Sequence, residues 1–283
     1  MPQTLIELGG DLRAPVLNMM PANGFPAQTY LPMLRRLAGL RTISLPPRAL
    51  WGDQAAPTRF GSWRDAADDL LKGLDRFSLR DIVAVGHSLG GVLSLLALIK
   101  EPKRFKALVM LDPVLLPQDS LDMLAAARDA VQIENLPLVQ GARRRRQVFD
   151  SREDAYSRFR EKAVFADWTA EALSQYVQHG LRARDNGPGF ELIWSPEWEA
   201  YYFSTVYQDI WFDLPKLSGL APVLIIRAEH SDTFPAASYA RAQSLLPGAA
   251  FREMKGQGHL FPQSAPVKTA RIISDWLSES VTP

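Results

Sequence analysis

The chain has 283 residues, 47% of them hydrophobic and 22% charged, which is enough to bury a sizeable core and too apolar for a disordered chain. Its 32 Lys+Arg against 31 Asp+Glu leave a formal +1, so no whole-molecule field draws it to nucleic acid or anionic lipid. With no cysteine, disulfides, thiolate nucleophiles and cysteine-ligated metal sites are excluded, leaving His87, His179, His230 and His259 as nitrogen ligands.

The first fifteen residues carry Glu7 and Asp11 and lack a basic head before an apolar stretch, so they do not read as a signal peptide. The longest apolar run, Gly90 to Ile99, is interrupted by Ser94 and ends at Lys100, short of the ~20 residues that span a bilayer. The expectation is a cytoplasmic chain with no membrane span, no nucleic-acid partner, no metal and no cofactor. Short apolar runs at Pro15–Met20, Thr42–Leu45, Ile82–Val85, Ala107–Leu111 and Val223–Ile226 read as strands buried on both faces of a sheet. Between them lie helical stretches: Ala27–Leu37, then Ser62–Phe77 with Trp63, Ala66, Ala67, Leu70, Leu71 and Leu74 at helical spacing, then Leu89–Ile99. This alternation predicts an α/β fold with a doubly wound, mostly parallel sheet.

After Asp112-Pro113 the rhythm breaks. From Val114 to Asp213 the helical signals continue without a convincing strand, through Ser120–Glu134, Arg143–Val148, Arg152–Phe165, Thr169–Gly180 and an aromatic stretch from Trp194 to Phe212. Strands return at Pro222–Arg227 and Ala250–Lys255, and Val267–Leu277 makes a last amphipathic helix. Residues 1–113 and 214–283 are therefore expected to form the core, and 114–213 an inserted, mainly helical cap.

Gly86-His87-Ser88-Leu89-Gly90 follows one expected strand directly and opens a helix. A G-x-S-x-G turn in that context pushes its serine clear of the sheet, and the flanking glycines let the backbone pass itself closely. Amides at the start of the following helix point at the same spot, where an oxyanion would form. A serine hydroxyl needs a base. His259, in the polar loop Gly256-Gln257-Gly258-His259 before the last helix, is the choice, with His230 as alternative. His87 is expected to pack or hydrogen-bond near the turn, and His179 to lie late in a cap helix. The acid that orients the imidazole should follow a core strand; Asp232 is chosen, with Glu229 and Asp112 as rivals. Ser88, Asp232 and His259 then stand in the chain order of nucleophile-elbow hydrolases.

At these residues the sequence resembles the α/β-hydrolase superfamily, in its capped esterase, lipase and epoxide-hydrolase-like branch. Asn23-Gly24-Phe25-Pro26 looks like that family's His-Gly-x-Pro loop with Asn23 in place of the histidine. The resemblance implies an oxyanion hole made by the backbone N–H groups of Phe25 and Leu89. Serine at position 88 argues against the epoxide hydrolases and haloalkane dehalogenases, which attack with aspartate. Acyl transfer to water is the expected reaction, on a small to medium carboxylic ester or related acyl compound. A carbon–carbon hydrolase, a cofactor-free oxygenase or perhydrolase, and a weakly catalytic ligand-binding protein are the alternatives. Trp51, Trp168, Trp194 and Trp211 are candidates to line an apolar substrate pocket; equally, an inserted lid needs an aromatic core of its own. Arg143-Arg144-Arg145-Arg146 is the sharpest charge run. Read as helix, its members point about 100° apart and cannot all face one ligand, so pairing with nearby acids such as Asp150, Glu153 and Asp154 is expected, with binding of an anionic, phosphorylated or CoA-linked acyl group as the alternative.

Overall fold

A computed structural model describes residues 3–52, 55–56, 61–130 and 132–281. Seven strands, β1 (Ile6–Gly9), β2 (Val16–Met20), β3 (Arg41–Ser44), β4 (Ile82–His87), β5 (Phe105–Leu111), β9 (Val223–His230) and β10 (Ala250–Gly258), share one sheet. Their order is β1-β3-β2-β4-β5-β9-β10, parallel throughout except where β1 runs antiparallel to β3 at the edge.

The central strands are apolar at nearly every position because both faces are covered, and alternate residues go to different cores. Ile82 and Ala84 of β4 join Leu108 and Met110 of β5 in one cluster, packed with helices Trp63–Arg76 and Leu89–Lys100. Val83 and Val85 join Val109 and Leu111 in the other, with Leu31, Met33 and Leu34 and the face of helix Pro266–Ser280 that carries Ala270, Ile273 and Trp276. Helix Trp63–Arg76 begins where Ser62 Oγ accepts from Arg64 N–H and Asp65 carboxylate accepts from Ser62 N–H, a reciprocal cap that fixes its start. The expected helix at 27–37 is shorter, a 3₁₀ turn Ala27–Tyr30 followed by Leu31–Leu34. Strand β1 was not expected: only Ile6 and Leu8 mark it, and an edge strand needs one apolar face at most.

Topology fixes where chemistry sits. From β2 the chain goes to β3 on one side and then crosses to β4 on the other, so the carboxyl ends of neighbouring β2 and β4 flank the switch point where open α/β sheets hold ligands. The loop beginning at Pro21 leaves β2 there, and Ser88 leaves β4.

Between β5 and β9 the described residues are mainly helical, with helices Gln118–Asp129, Pro137–Arg143, Arg152–Arg160, Ala170–Gly180 and Pro196–Ser204. The expectation of no strand is corrected. β6 (Val148–Phe149), β7 (Leu181–Ala183) and β8 (Phe190–Leu192) form a small antiparallel sheet in the order β6-β8-β7. Two- and three-residue strands carry too little alternation to register in a pattern. One aromatic cluster, with Phe149, Phe159, Phe165, Trp168 and Tyr176, is the insertion's own core and packs on Phe25 and Leu260. The later aromatics Trp194, Trp198, Tyr202 and Trp211 instead join the core under the main sheet. Among the described residues no helix is long and apolar enough to cross a membrane, and no three His, Asp or Glu gather to hold a metal.

Candidate active site

The turn after β4 is as tight as its glycines imply. A Cβ on Gly86 would lie 2.2 Å from Gly90 O, and one on Gly90 would lie 2.1 Å from Met20 O, contacts that only glycine avoids. Ser88 sits between them at φ 55°, ψ −118°, a conformation a side chain rarely adopts and one that costs about 1–3 kcal/mol. The surrounding sheet enforces it: Ser88 N–H donates to Leu111 O at 3.0 Å, while Gly91 N–H donates to Ser88 O at 3.1 Å. The serine is 8% exposed at the first turn of helix Leu89–Lys100. The Leu89 N–H is the first of that helix, which its own ladder leaves without a partner.

His259, in the loop after β10, turns Nδ1 to Asp112 Oδ2 at 2.7 Å. Since a carboxylate only accepts, Nδ1 is the donor in this bond. Among the described residues no hydrogen bond joins Ser88 Oγ to His259, a separation common in the absence of substrate.

The choice of Asp232 is corrected. Asp232 is exposed and meets neither histidine nor serine, whereas Asp112 is fully buried at the end of β5. The register explains it: His87 of β4 pairs with Leu111 of β5, so the next residue on each strand, Ser88 and Asp112, leave the sheet side by side. β9 lies one strand further out, and its loop plays a different part. Ala228 N–H donates to Asp112 Oδ1 at 2.7 Å and Ser231 Oγ to Oδ2 at 2.5 Å, while Thr233 Oγ1 lies 3.1 Å from His259 Nδ1. Ser231 and Thr233 thus cradle the Asp112 carboxylate, and Arg227 holds their loop by donating to Phe234 O at 2.7 Å and to Glu229 O at 3.0 Å. Glu229, the other rival, accepts from Gly256 N–H at 2.7 Å, at the register shift in β10 that precedes the histidine.

His87 does more than pack. Ala22 N–H donates to Tyr30 Oη at 3.1 Å, the tyrosine hydroxyl lies 2.7 Å from His87 Nδ1, and His87 Nε2 lies 3.0 Å from the carbonyl of His259. That carbonyl can only accept, so Nε2 carries the proton and Nδ1 accepts from the tyrosine. Burial, and next the neighbouring His259, hold the His87 pKa well below its usual value. This chain ties the loop after β2 to the backbone of His259. Its members, Tyr30 above all, carry no sequence signal because nothing in a spacing pattern marks a hydroxyl beneath a histidine.

In the loop after β2, Phe25 N–H closes a turn onto Ala22 O at 3.2 Å, so this amide is engaged within its own loop. Asn23 Nδ2 donates to Glu199 O at 2.9 Å, and Glu199 pairs with Arg145 at 2.6 Å. The inserted segment, rather than the core, therefore holds the residue that stands where the resemblance has histidine. Of the four tryptophans, Trp168 touches Phe25 with ring centroids 5.4 Å apart. Trp194 and Trp211 are buried in the main core, Trp211 donating to Leu116 O, and Trp51 donates to Pro46 O at 2.8 Å. The structure does not gather these four in one place. His179 is the last residue but one of helix Ala170–Gly180, and His230 ends β9 opposite Gly258 of β10.

The chain belongs to the α/β hydrolase fold family, whose pattern it matches over residues 24–263. Among characterised sequences it is 30% identical over 175 residues to the type I acyl-CoA thioesterase mpaH of Penicillium brevicompactum. That match takes in 56% of this chain and 38% of the relative, so the chain spans well under half of that protein's length. Among solved structures it superposes on E-2-(acetamidomethylene)succinate hydrolase with a TM-score of 0.77 at 20% identity, covering 98% of both chains. It also superposes on the thioesterase domain from the curacin biosynthetic pathway with a TM-score of 0.71 at 16% identity, covering 96% of this chain and 98% of that one. At such identities the likeness is one of fold.

Proposed function

We propose that the protein is a serine hydrolase of carboxylic esters or related acyl compounds, thioesters included, working through an acyl-enzyme. The observation that carries this reading is the 2.7 Å bond from His259 Nδ1 to buried Asp112, level with Ser88 on its strained turn. Asp112 keeps the imidazole in the tautomer whose Nε2 is free to take the Ser88 proton as Oγ attacks the carbonyl. The negative charge on the carbonyl oxygen goes to Leu89 N–H and to Phe25 N–H, the latter exchanging its long bond to Ala22 O for the oxyanion. His259 then gives its proton to the leaving group, activates water, and returns Ser88 to its starting state as the acid product departs. The insertion, residues 114–213, acts as a cap, a role supported by its aromatic core packing on Phe25 beside Leu260. The thioester arm draws on the acyl-CoA thioesterase and thioesterase domain to which the chain is similar.

The test is intact-mass labelling with a fluorophosphonate. Wild type is expected to take one adduct, and Ser88→Ala and His259→Ala none. An unlabelled wild type that is folded, or equal labelling of Ser88→Ala, refutes the assignment.

A further inference from the structure

The arginine run finds acids, Arg146 pairing with Asp154 as expected, but it is not the helix its spacing implied. Helix Pro137–Arg143 ends on the first arginine, and Arg144, Arg145 and Arg146 follow in a turn and an irregular stretch leading into β6. Off the helix the 100° fan no longer applies. All three line one cleft of about 540 Å³, joined there by Arg158 and Lys162. Two acids share the lining, Glu161 and Glu199. This cationic surplus lies in a segment, 114–213, that is acidic overall, with eleven Lys+Arg against sixteen Asp+Glu.

The positive charges are only partly answered. Arg145 is paired with Glu199 and bonded to Tyr176 Oη. Arg146 and Arg158 share a single carboxylate, Asp154, at 3.7 and 2.6 Å. Arg144 bonds to the neutral Gln140 amide at 3.2 Å, and among the described residues neither it nor Lys162 has a carboxylate within 4 Å. Beneath the cations the cleft is aromatic, with Phe25, Phe149, Phe159 and Phe165 in its wall. Phe25 also belongs to the loop after β2, and Arg145 Nη1 is 3.4 Å from where a Cβ on Gly24 would stand, so the cleft adjoins the carbonyl-binding loop directly.

We infer that this cleft holds an anionic group, carboxylate or phosphate, carried by the acyl substrate on either its acyl or its leaving-group side. The inference rests on the serine-hydrolase reading and names its substrate class. Guanidinium and ammonium donors above aromatic walls fit such a ligand: the charge meets Arg144 and Lys162, and the apolar body lies against the rings.

The experiment titrates the Ser88→Ala protein by calorimetry with butyryl-coenzyme A and, separately, with 4-nitrophenyl hydrogen glutarate. At least one probe is expected to saturate, to weaken with added salt, and to lose about tenfold or more in affinity when Arg144→Ala and Lys162→Ala are added. Binding of the coenzyme A ester alone assigns the cleft to phosphate, and binding of the hemiester alone to carboxylate. If neither saturates, or if the two substitutions leave affinity within about twofold, the cleft is not an anion site. Fluorophosphonate labelling of wild type runs beside it. Label without anion binding overturns the cleft alone, whereas anion binding without label overturns the serine chemistry instead.

Discussion

Replacing Asp112 with asparagine changes two atoms' chemistry and almost no volume. The side chain keeps an acceptor for Ala228 N–H, at 2.7 Å in the native site, and Ser231 Oγ, at 2.5 Å, is a rotor that turns to accept. His259 has no such freedom. Facing an NH2 group at 2.7 Å, its Nδ1 must accept, which moves the proton to Nε2, the nitrogen proposed to accept from Ser88. A base holding its proton on the wrong nitrogen loses about 10⁴ in kcat, or roughly 5 kcal/mol of transition-state stabilisation. Stability falls less, by about 1–3 kcal/mol, as charge-assisted bonds become neutral ones. The assay is kcat/KM on 4-nitrophenyl butyrate beside urea unfolding of the same preparations, with Asp232→Asn as the counterpart. Because Asp232 is exposed and touches neither partner, its substitution is expected to leave both quantities within about twofold and ~0.5 kcal/mol of wild type. Full activity in Asp112→Asn with collapse in Asp232→Asn would refute the reasoning.

Three further outcomes follow from the geometry. Gly86→Ala places a methyl 2.2 Å from Gly90 O, backbone that cannot move aside, and is expected to cost about 3 kcal/mol or more in urea unfolding; an unchanged midpoint disproves the close approach. His87 is held neutral in the fold with its pKa well below the unfolded value of 6.5, so below that pH the unfolded state binds the extra proton. Its contribution is whole above pH ~6.5 and drains away as pH falls, by up to about 1.4 kcal/mol per unit, and His87→Asn should flatten that slope in unfolding measured from pH 7.5 to 5. Breaking the half-screened Arg145–Glu199 pair by Arg145→Met alone is expected to cost about 2–3 kcal/mol, more than Arg145→Met with Glu199→Gln, because the lone change strands a carboxylate beside Asn23's loop; additivity in the unfolding cycle contradicts this.

Local chemistry was legible from the sequence alone. The core strands announce themselves because burial on both faces demands continuous apolar runs, and Ser62 and Asp65 mark a helix start through bonds that span three residues. The turn around Ser88 is written in glycines whose need is local, a backbone folding past itself within five positions. The polar glycine loop that carries His259 after the last strand is legible in the same local way. What the sequence left open depends on which strands lie side by side. Asp112 and Asp232 both follow core strands, and only the pairing of His87 with Leu111 brings the former level with Ser88, while the neighbouring β9 turns Ser231 and Thr233 toward it. The arginines are a matter of where one helix stops: a single turn more would have fanned them apart. Strands β6, β7 and β8 are too short to carry a period, and β1 offers only Ile6 and Leu8, so they exist only through their partners. Local backbone geometry is encoded within a few residues and can be read there; a side chain's neighbours across the sheet are set by register and topology, which no spacing along the chain contains.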